Sequence, residues 1–207
     1  MISSTHIVLS AYNGSQFISE QIQSIKDQTF RDWCLWIRDD GSTDDTFSVL
    51  EEVATSDPRI FLYPRDGRQL GASGGFSWLL ERLPDDATQV FCCDADDVWL
   101  PEKIELSRTA MLQAESGESG PILVHTDLRV TDSKLQTLDQ SLWHYLGISP
   151  EPATLQRLLV ENVATGPTIL MNRDLVEKAC PIPDNVPYQD WWITLGAAAF
   201  GRVVVLH

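Results

Sequence analysis

The sequence is poor in cysteine: four among 207 residues, Cys34, Cys92, Cys93 and Cys180, with no pair at metal-ligand spacing. A cysteine-built metal site is thereby excluded, and Cys92-Cys93, inside an apolar run, reads as buried packing. Basic charge is also scarce: fifteen Lys and Arg face thirty Asp and Glu, a formal charge of −15, with a pI near 4.4. Such a field repels polyanions, which argues against nucleic acid and anionic membrane as partners. No apolar run approaches the roughly 20 residues that span a bilayer, and Met1–Ser10 has no basic segment of the kind that opens a signal peptide. These absences lead to the expectation of a cytoplasmic protein without a transmembrane segment. There is no P-loop signature, and Gly71-Ala72-Ser73-Gly74-Gly75 lacks the dinucleotide-binding spacing. No internal repeat or low-complexity linker divides the chain.

At 43% hydrophobic and 22% charged the composition is that of a globular protein, and the length suits one domain. Short apolar runs alternate with amphipathic segments, the pattern of consecutive βα units. Ile7–Leu9, Trp33–Ile37, Ile60–Tyr63 and Val90–Cys93 read as strands, and the last, with no polar face, as one covered on both sides. Ile18, Ile22 and Ile25 mark a helix face. Ser42 and Asp45 resemble a capping box opening a second helix. Gly71–Gly75 reads as a flexible turn before a helix from Phe76, and Pro101 suits the first turn of another. Glu115–Gly120 is expected to be a loop and Ile122–Val130 one longer strand, while Leu138–Pro152 yields no assignment. Leu155–Val160, Asp174–Ala179 and Trp191–Phe200 read as helices, Thr168–Met171 and Val203–Leu206 as strands. The expected class is α/β, a mixed, mostly parallel sheet flanked by helices.

Carboxylates carry the chemistry, because they follow predicted strands, and in open α/β sheets that edge binds ligands. Asp39 and Asp40 follow the second strand; Asp94, Asp96 and Asp97 follow the Val90 strand. Crowded carboxylates need a cation or hydrogen bonds, so Asp-x-Asp-Asp suits a divalent metal; the plain alternative is a solvated acidic turn capping the next helix. An EF-hand is excluded, since counting from Asp94 gives Trp99 at the sixth place, where the sharp turn needs Gly, although Glu105 stands at the twelfth. A Mg²⁺-dependent phosphatase, with Asp94 as nucleophile, Asp96 as acid and Val98 two residues on, is a further reading. Arg65 and Arg68 are either diphosphate contacts or solvated surface.

Taken together, Ser10-Ala11-Tyr12-Asn13-Gly14, Ser24–Phe30, Asp39-Asp40-Gly41-Ser42-Thr43-Asp44 and Asp94-Ala95-Asp96-Asp97 resemble the family 2 glycosyltransferases of the GT-A fold, a Rossmann-like nucleotide-diphospho-sugar transferase architecture. Glu161–Gly166 and Tyr188-Gln189-Asp190-Trp191-Trp192 are similar to its rhamnosyltransferase-like branch. The resemblance implies a nucleotide-sugar site formed by Ser10, Ala11, Tyr12, Asn13, Asp39, Asp40, Asp94 and Asp96, with Asp40 hydrogen-bonding the base. It implies Mn²⁺ or Mg²⁺ on Asp96 and Asp97, Asp190 as general base, and an acceptor side at Gly166, Trp191 and Trp192. It divides a single catalytic domain, 1–207, into a donor half, 1–105, and an acceptor half, 106–207.

The implied reaction is inverting transfer of a sugar, rhamnose in the matching branch, from a dTDP- or UDP-sugar to a saccharide or lipid-linked saccharide in surface polysaccharide assembly, peripheral to the inner membrane face. A non-catalytic sugar-nucleotide-binding module is the third alternative. The chain departs from the family pattern at Gly75, where relatives carry Asn, and at Arg38, where an apolar residue is commoner. It also closes on a strand where relatives continue, so either a trimmed catalytic core or a short family member is expected.

Overall fold

The computed structural model describes residues 4–117 and 119–207. Met1–Ser3, part of the segment read against a leader, and Glu118, within the expected 115–120 loop, lie outside the described residues. In chain order the elements are β1 (Thr5–Ala11), α1 (Ile18–Lys26), β2 (Cys34–Asp39), α2 (Thr46–Ser56), β3 (Ile60–Leu62), α3 (Gly71–Leu80), β4 (Gln89–Cys93) and α4 (Lys103–Glu115). There follow β5 (Ile122–Thr126), β6 (Val130–Thr131), β7 (Thr137–Asp139), α5 (Leu142–Leu146), α6 (Leu155–Leu158), a 3-10 turn (Gly166–Thr168), β8 (Ile169–Asn172), α7 (Arg173–Ala179), α8 (Gln189–Phe200) and β9 (Arg202–Leu206).

Seven strands form one mixed sheet in the order β3-β2-β1-β4-β8-β5-β9. β1 runs parallel to β2 and β4, and β2 parallel to β3. β8 is antiparallel to both β4 and β5, and β9 is parallel to β5. The expected mostly parallel sheet with helices on its faces is therefore present. Side-chain alternation divides the core in two. Ile7 and Leu9 of β1 pack with Ile18, Ile22 and Ile25 of α1 and Met111 of α4. Val8 packs on the other face with Phe76 and Leu79 of α3, Leu175 of α7 and Ile193 of α8. With both faces covered, β4 is buried throughout, which is why its sequence has no polar phase.

The elements differ from the sequence expectation where a local hydrogen bond overrides pattern. Gly71–Gly75 is helical, the first turns of α3, because the Asp40 carboxylate accepts from the amides of Leu70 and Gly71, 2.8 Å each, satisfying donors that a helix start leaves open. α2 begins at Thr46 and not at Ser42: Asp44 Oδ1 accepts from the Thr46 amide at 3.1 Å, while Ser42 Oγ accepts from the amide of Asn13. β5 stops at Thr126 because Asp127 Oδ1 accepts from Leu128 N and Leu142 N, 2.8 and 3.1 Å, turning the chain into the antiparallel β6–β7 ribbon. The unassigned Leu138–Pro152 stretch holds α5, capped by Ser141 Oγ and ended at Gly147 with φ 69°. Thr168 belongs to the 3-10 turn, leaving β8 to start at Ile169.

Candidate active site at the carboxyl edge of the sheet

Two loops are stapled together at the ends of β1 and β2. The amide of Asn13 donates to Ser42 Oγ at 3.0 Å and that of Gly14 to Thr46 Oγ1 at 2.8 Å. Asn13 Oδ1 in return accepts from the Thr43 amide at 2.8 Å. Asn13 sits at φ 49°, a left-handed conformation that asparagine tolerates better than most residues. The chain thereby turns outward after Tyr12, whose side chain is 49% exposed. A cleft of about 380 Å³ opens here, lined on one side by Ser10, Tyr12 and Asn13, on the other by Asp94 and Asp96, and closed by Asp40 and Gln69.

The two acids after β2 hold different posts. Asp39 is buried beneath the cleft, its Oδ2 accepting from Ser42 N at 3.2 Å and Arg65 Nε at 2.9 Å. Asp40 reaches the cleft wall, but both of its oxygens accept from the amides that start α3. Arg65 and Arg68 are committed to Asp39 and Asp66 respectively. Arg38 is buried and pairs with Asp40 and Asp66. Gly75 is explained by packing: a Cβ there would overlap Ser10 Oγ.

After β4 the chain leaves the sheet as Asp94-Ala95-Asp96-Asp97. Burial, then repulsion from Asp97, Asp96 and Asp190, pushes the Asp94 carboxyl up to about 7. Burial and Asp96 push Asp97 up to about 6. Lys103, at the start of α4, is drawn down to about 8 by burial, with Cys93 and Asp97 opposing. These carboxylates supply the hard oxygen ligands that Mn²⁺ or Mg²⁺ requires, and their mutual repulsion is what such a cation relieves. Among the described residues no three His, Cys, Asp or Glu groups close a cage. The fit is therefore to a cation held by one or two carboxylates and completed by a ligand's phosphate oxygens.

Asp190 comes from the far half of the chain, in the first turn of α8. Its Oδ2 accepts from Gly166 N at 3.1 Å and its Oδ1 from Trp191 N at 2.6 Å. Burial raises its pKa against the lowering effect of the Trp191 and Gly166 amides. A Cβ on Gly166 would stand 3.5 Å from Asp94 Oδ2, so Asp94 and Asp190 flank one glycine. Trp191 and Trp192 spend their indole N–H groups on backbone carbonyls, Leu158 O at 2.5 Å and Ala179 O at 2.8 Å. They brace α8, and only their ring faces remain for a ligand.

Sequence reading missed Gln69 and Ala72 in the cleft wall and Gln189, which accepts from Ser73 Oγ at 3.3 Å and ties α8 to α3. None carries a composition or spacing signal. The adjacency of Gln189 to Asp190 was the one available hint.

Known proteins resemble this chain in sequence and in fold. The family model "Glycosyl transferase family 2" matches residues 6–179. The dTDP-rhamnosyl transferase RfbG of Shigella flexneri is 34% identical over 99 residues, 47% of this chain and 34% of that protein. An uncharacterized glycosyltransferase of Nostoc is 28% identical over 190 residues, 89% of this chain and 55% of that one. The chain thus spans between a third and just over half of these relatives. Among solved structures, Staphylococcus aureus TarS 1–349 in complex with UDP superposes with a TM-score of 0.72 at 17% identity, covering 98% of this chain and 57% of that one. The mannosyltransferase PcManGT of Pyrobaculum calidifontis, in complex with GDP-Man and Mn²⁺, gives 0.71 at 18%, covering 98% and 54%. The fold is the GT-A fold of these glycosyltransferases.

Proposed function

This chain belongs to glycosyl transferase family 2, and on that premise we propose that it transfers a sugar, with inversion, from a nucleoside-diphosphate sugar to a saccharide acceptor. Family membership sets aside the aspartyl-phosphatase reading. The observation that carries the proposal is the meeting of Asp94 and Asp190, from the two halves of the chain, on either side of Gly166.

The donor half is 1–105. Tyr12 offers an exposed ring face for the base, and Ser10, Asn13 and Asp40 form the nucleoside wall, with Ala11 and Asp39 buried behind it. Asp94 and Asp96 face the ribose and diphosphate, and Asp96 and Asp97 are the carboxylates that hold Mn²⁺ or Mg²⁺. When bound, the metal offsets the charge that develops on the leaving diphosphate. In a protein of charge −15 the donor needs that compensation.

The acceptor half is 106–207. Asp190 Oδ takes the proton of the acceptor hydroxyl as its oxygen attacks the anomeric carbon; the C–O bond to the diphosphate breaks and the configuration inverts. Its raised pKa makes it a stronger base than a free carboxylate. Gly166 keeps the space between the two carboxylates open, and the ring faces of Trp191 and Trp192 suit the C–H faces of a sugar. The likeness to the dTDP-rhamnosyl transferase RfbG supports dTDP-rhamnose as donor; the proposed product is a surface polysaccharide, built on a saccharide or lipid-linked saccharide at the cytoplasmic face of the membrane. No helix among the described residues is long and apolar enough to cross a membrane.

Calorimetry with Mn²⁺ and a panel of UDP-, GDP- and dTDP-sugars tests this reading. One of the panel is expected to bind and, with a saccharide acceptor, to release its nucleoside diphosphate; no binding by any of them overturns it.

A further inference from the structure

Arg38 is 1% exposed at the end of β2, and a buried cation is costly unless it is paired and hydrogen-bonded. Its guanidinium is distributed over one short segment. Nη1 and Nη2 each donate to Asp66 at 3.1 Å, and Nη2 also reaches Arg68 O at 2.7 Å and Asp40 Oδ1 at 3.4 Å. Asp40 in turn accepts from the amides of Leu70 and Gly71, and Asp66 Oδ1 from that of Arg68 at 3.0 Å. Residues 66–70 are neither helix nor strand, and the turn is made at Gly67 and Gly71, φ 72° and 71°. The shape of the segment therefore comes from the Arg38 clamp. What the clamp presents to the cleft, beside Asp40, is Gln69.

We infer that Arg38 is a positioning residue of the nucleotide site and that Gln69, held in place by it, selects the base of the donor. The inference rests on the nucleotide-sugar reading above. A carboxamide offers an acceptor and a donor side by side, the complement of a ring N–H next to a carbonyl, as in uracil, thymine and guanine. The neighbouring Asp40 carboxylate favours the same edge, since its charge opposes the ring-nitrogen lone pairs that cytosine and adenine present there. The donor is accordingly a UDP-, dTDP- or GDP-sugar and not a CDP- or ADP-sugar, chosen at the base edge by a residue outside the acidic motifs.

The test is calorimetry of UDP, dTDP, GDP, CDP and ADP, each with Mn²⁺, on the wild type and on Gln69→Ala, Asp66→Asn, Arg38→Met and the Arg38→Met/Gln69→Ala double variant. The wild type is expected to prefer at least one of UDP, dTDP and GDP over CDP and ADP by about tenfold or more, the scale of one well-placed hydrogen bond. Gln69→Ala should erase most of that preference with Tm unchanged. Asp66→Asn, which keeps the Arg38–Asp40 pair, should lower it in part. In the Arg38→Met background, Gln69→Ala should have no further effect on the preference, an outcome that a purely stabilising role for Arg38 would not produce. A preference that survives Gln69→Ala, or additive effects in the double variant, overturns the inference while leaving the nucleotide-sugar reading intact; a wild type that binds none of the five overturns that reading itself.

Discussion

The amide of Gly166 donates to Asp190 Oδ2 at 3.1 Å while its α-carbon is so placed that a methyl group there would meet Asp94 Oδ2 at 3.5 Å. This one glycine links a residue after β4 to a residue opening α8, positions 96 apart in sequence, and fixes their separation by backbone. It follows that Asp190→Asn should leave the nucleotide affinity nearly unchanged and cost the fold one hydrogen bond, since the single carboxamide oxygen can accept from only one of the Gly166 and Trp191 amides. Transfer should fall by roughly 10²- to 10⁴-fold, the usual contribution of a general base. Steady-state transfer beside nucleotide calorimetry decides it: a loss of less than about tenfold would remove Asp190 from the base role.

Divalent metal should govern affinity. The Asp94 and Asp97 carboxyls stand at about 7 and about 6 because burial and mutual repulsion oppose their charge, and a cation reverses the second of these causes. UDP or dTDP binding is expected to weaken by more than about tenfold in EDTA, with Asp96→Asn and Asp97→Asn each reproducing part of the loss in Mn²⁺. Mn²⁺ should also raise Tm through its preference for the native state. Equal affinities in Mn²⁺ and EDTA would show that no metal bridges donor and protein.

How far the sequence foretold this site depends on the kind of interaction. β1, β2 and β4 and the acids after them were legible because burial on both faces imposes apolar runs, and the ends of such strands are abrupt. Asp94, Asp96 and Asp97 needed only that rule. The start of α3 was not legible, since Gly71–Gly75 argues for a turn and its helix depends on Asp40, some thirty residues upstream. The indole commitments of Trp191 and Trp192, and the clamp on residues 66–71, were hidden for the same reason: each is a tertiary hydrogen bond to a backbone group, which no side-chain pattern records. The family resemblance supplied Asp190, whose proximity to Asp94 no local rule contains.

The contribution of His125 to stability should be lost in mild acid. It is fully buried on β5 with both ring nitrogens lacking a hydrogen-bond partner, edge-on to Trp143 at 5.7 Å. Burial draws its pKa down to about 4, Asp127 opposing and His207 assisting. Above the unfolded value near 6.5 neither state holds the proton. Between 6.5 and about 4 only the unfolded state gains it, so stability declines as pH falls through that window and levels off below it, by on the order of 3 kcal/mol. Asp94 and Asp97, raised in the native state, act with the opposite sign. The His125→Phe variant isolates the histidine: in urea melts the stability difference between variant and wild type should move in the variant's favour from pH 7 to pH 4.5, and parallel curves would refute the assignment.

Gly75 should tolerate no side chain while Ser10 keeps its own. Alanine in a helix interior ordinarily gains about 1 kcal/mol over glycine, yet here the new Cβ would overlap Ser10 Oγ and lie 3.0 Å from Ser10 Cβ. Both groups sit on rigid elements, α3 and the central strand β1, so neither yields cheaply, and overpacking of this kind costs about 1–3 kcal/mol. Gly75→Ala is therefore expected to lower stability despite its helix propensity. Ser10→Gly in the same chain should recover the loss, because it removes both clashing atoms, whereas Ser10→Ala removes only the oxygen and should recover less. Chemical denaturation of the four proteins reads the cycle directly. A Gly75→Ala variant more stable than the wild type would show that α3 can move away from β1, and with it the wall of the cleft that Gly71 and Ala72 complete.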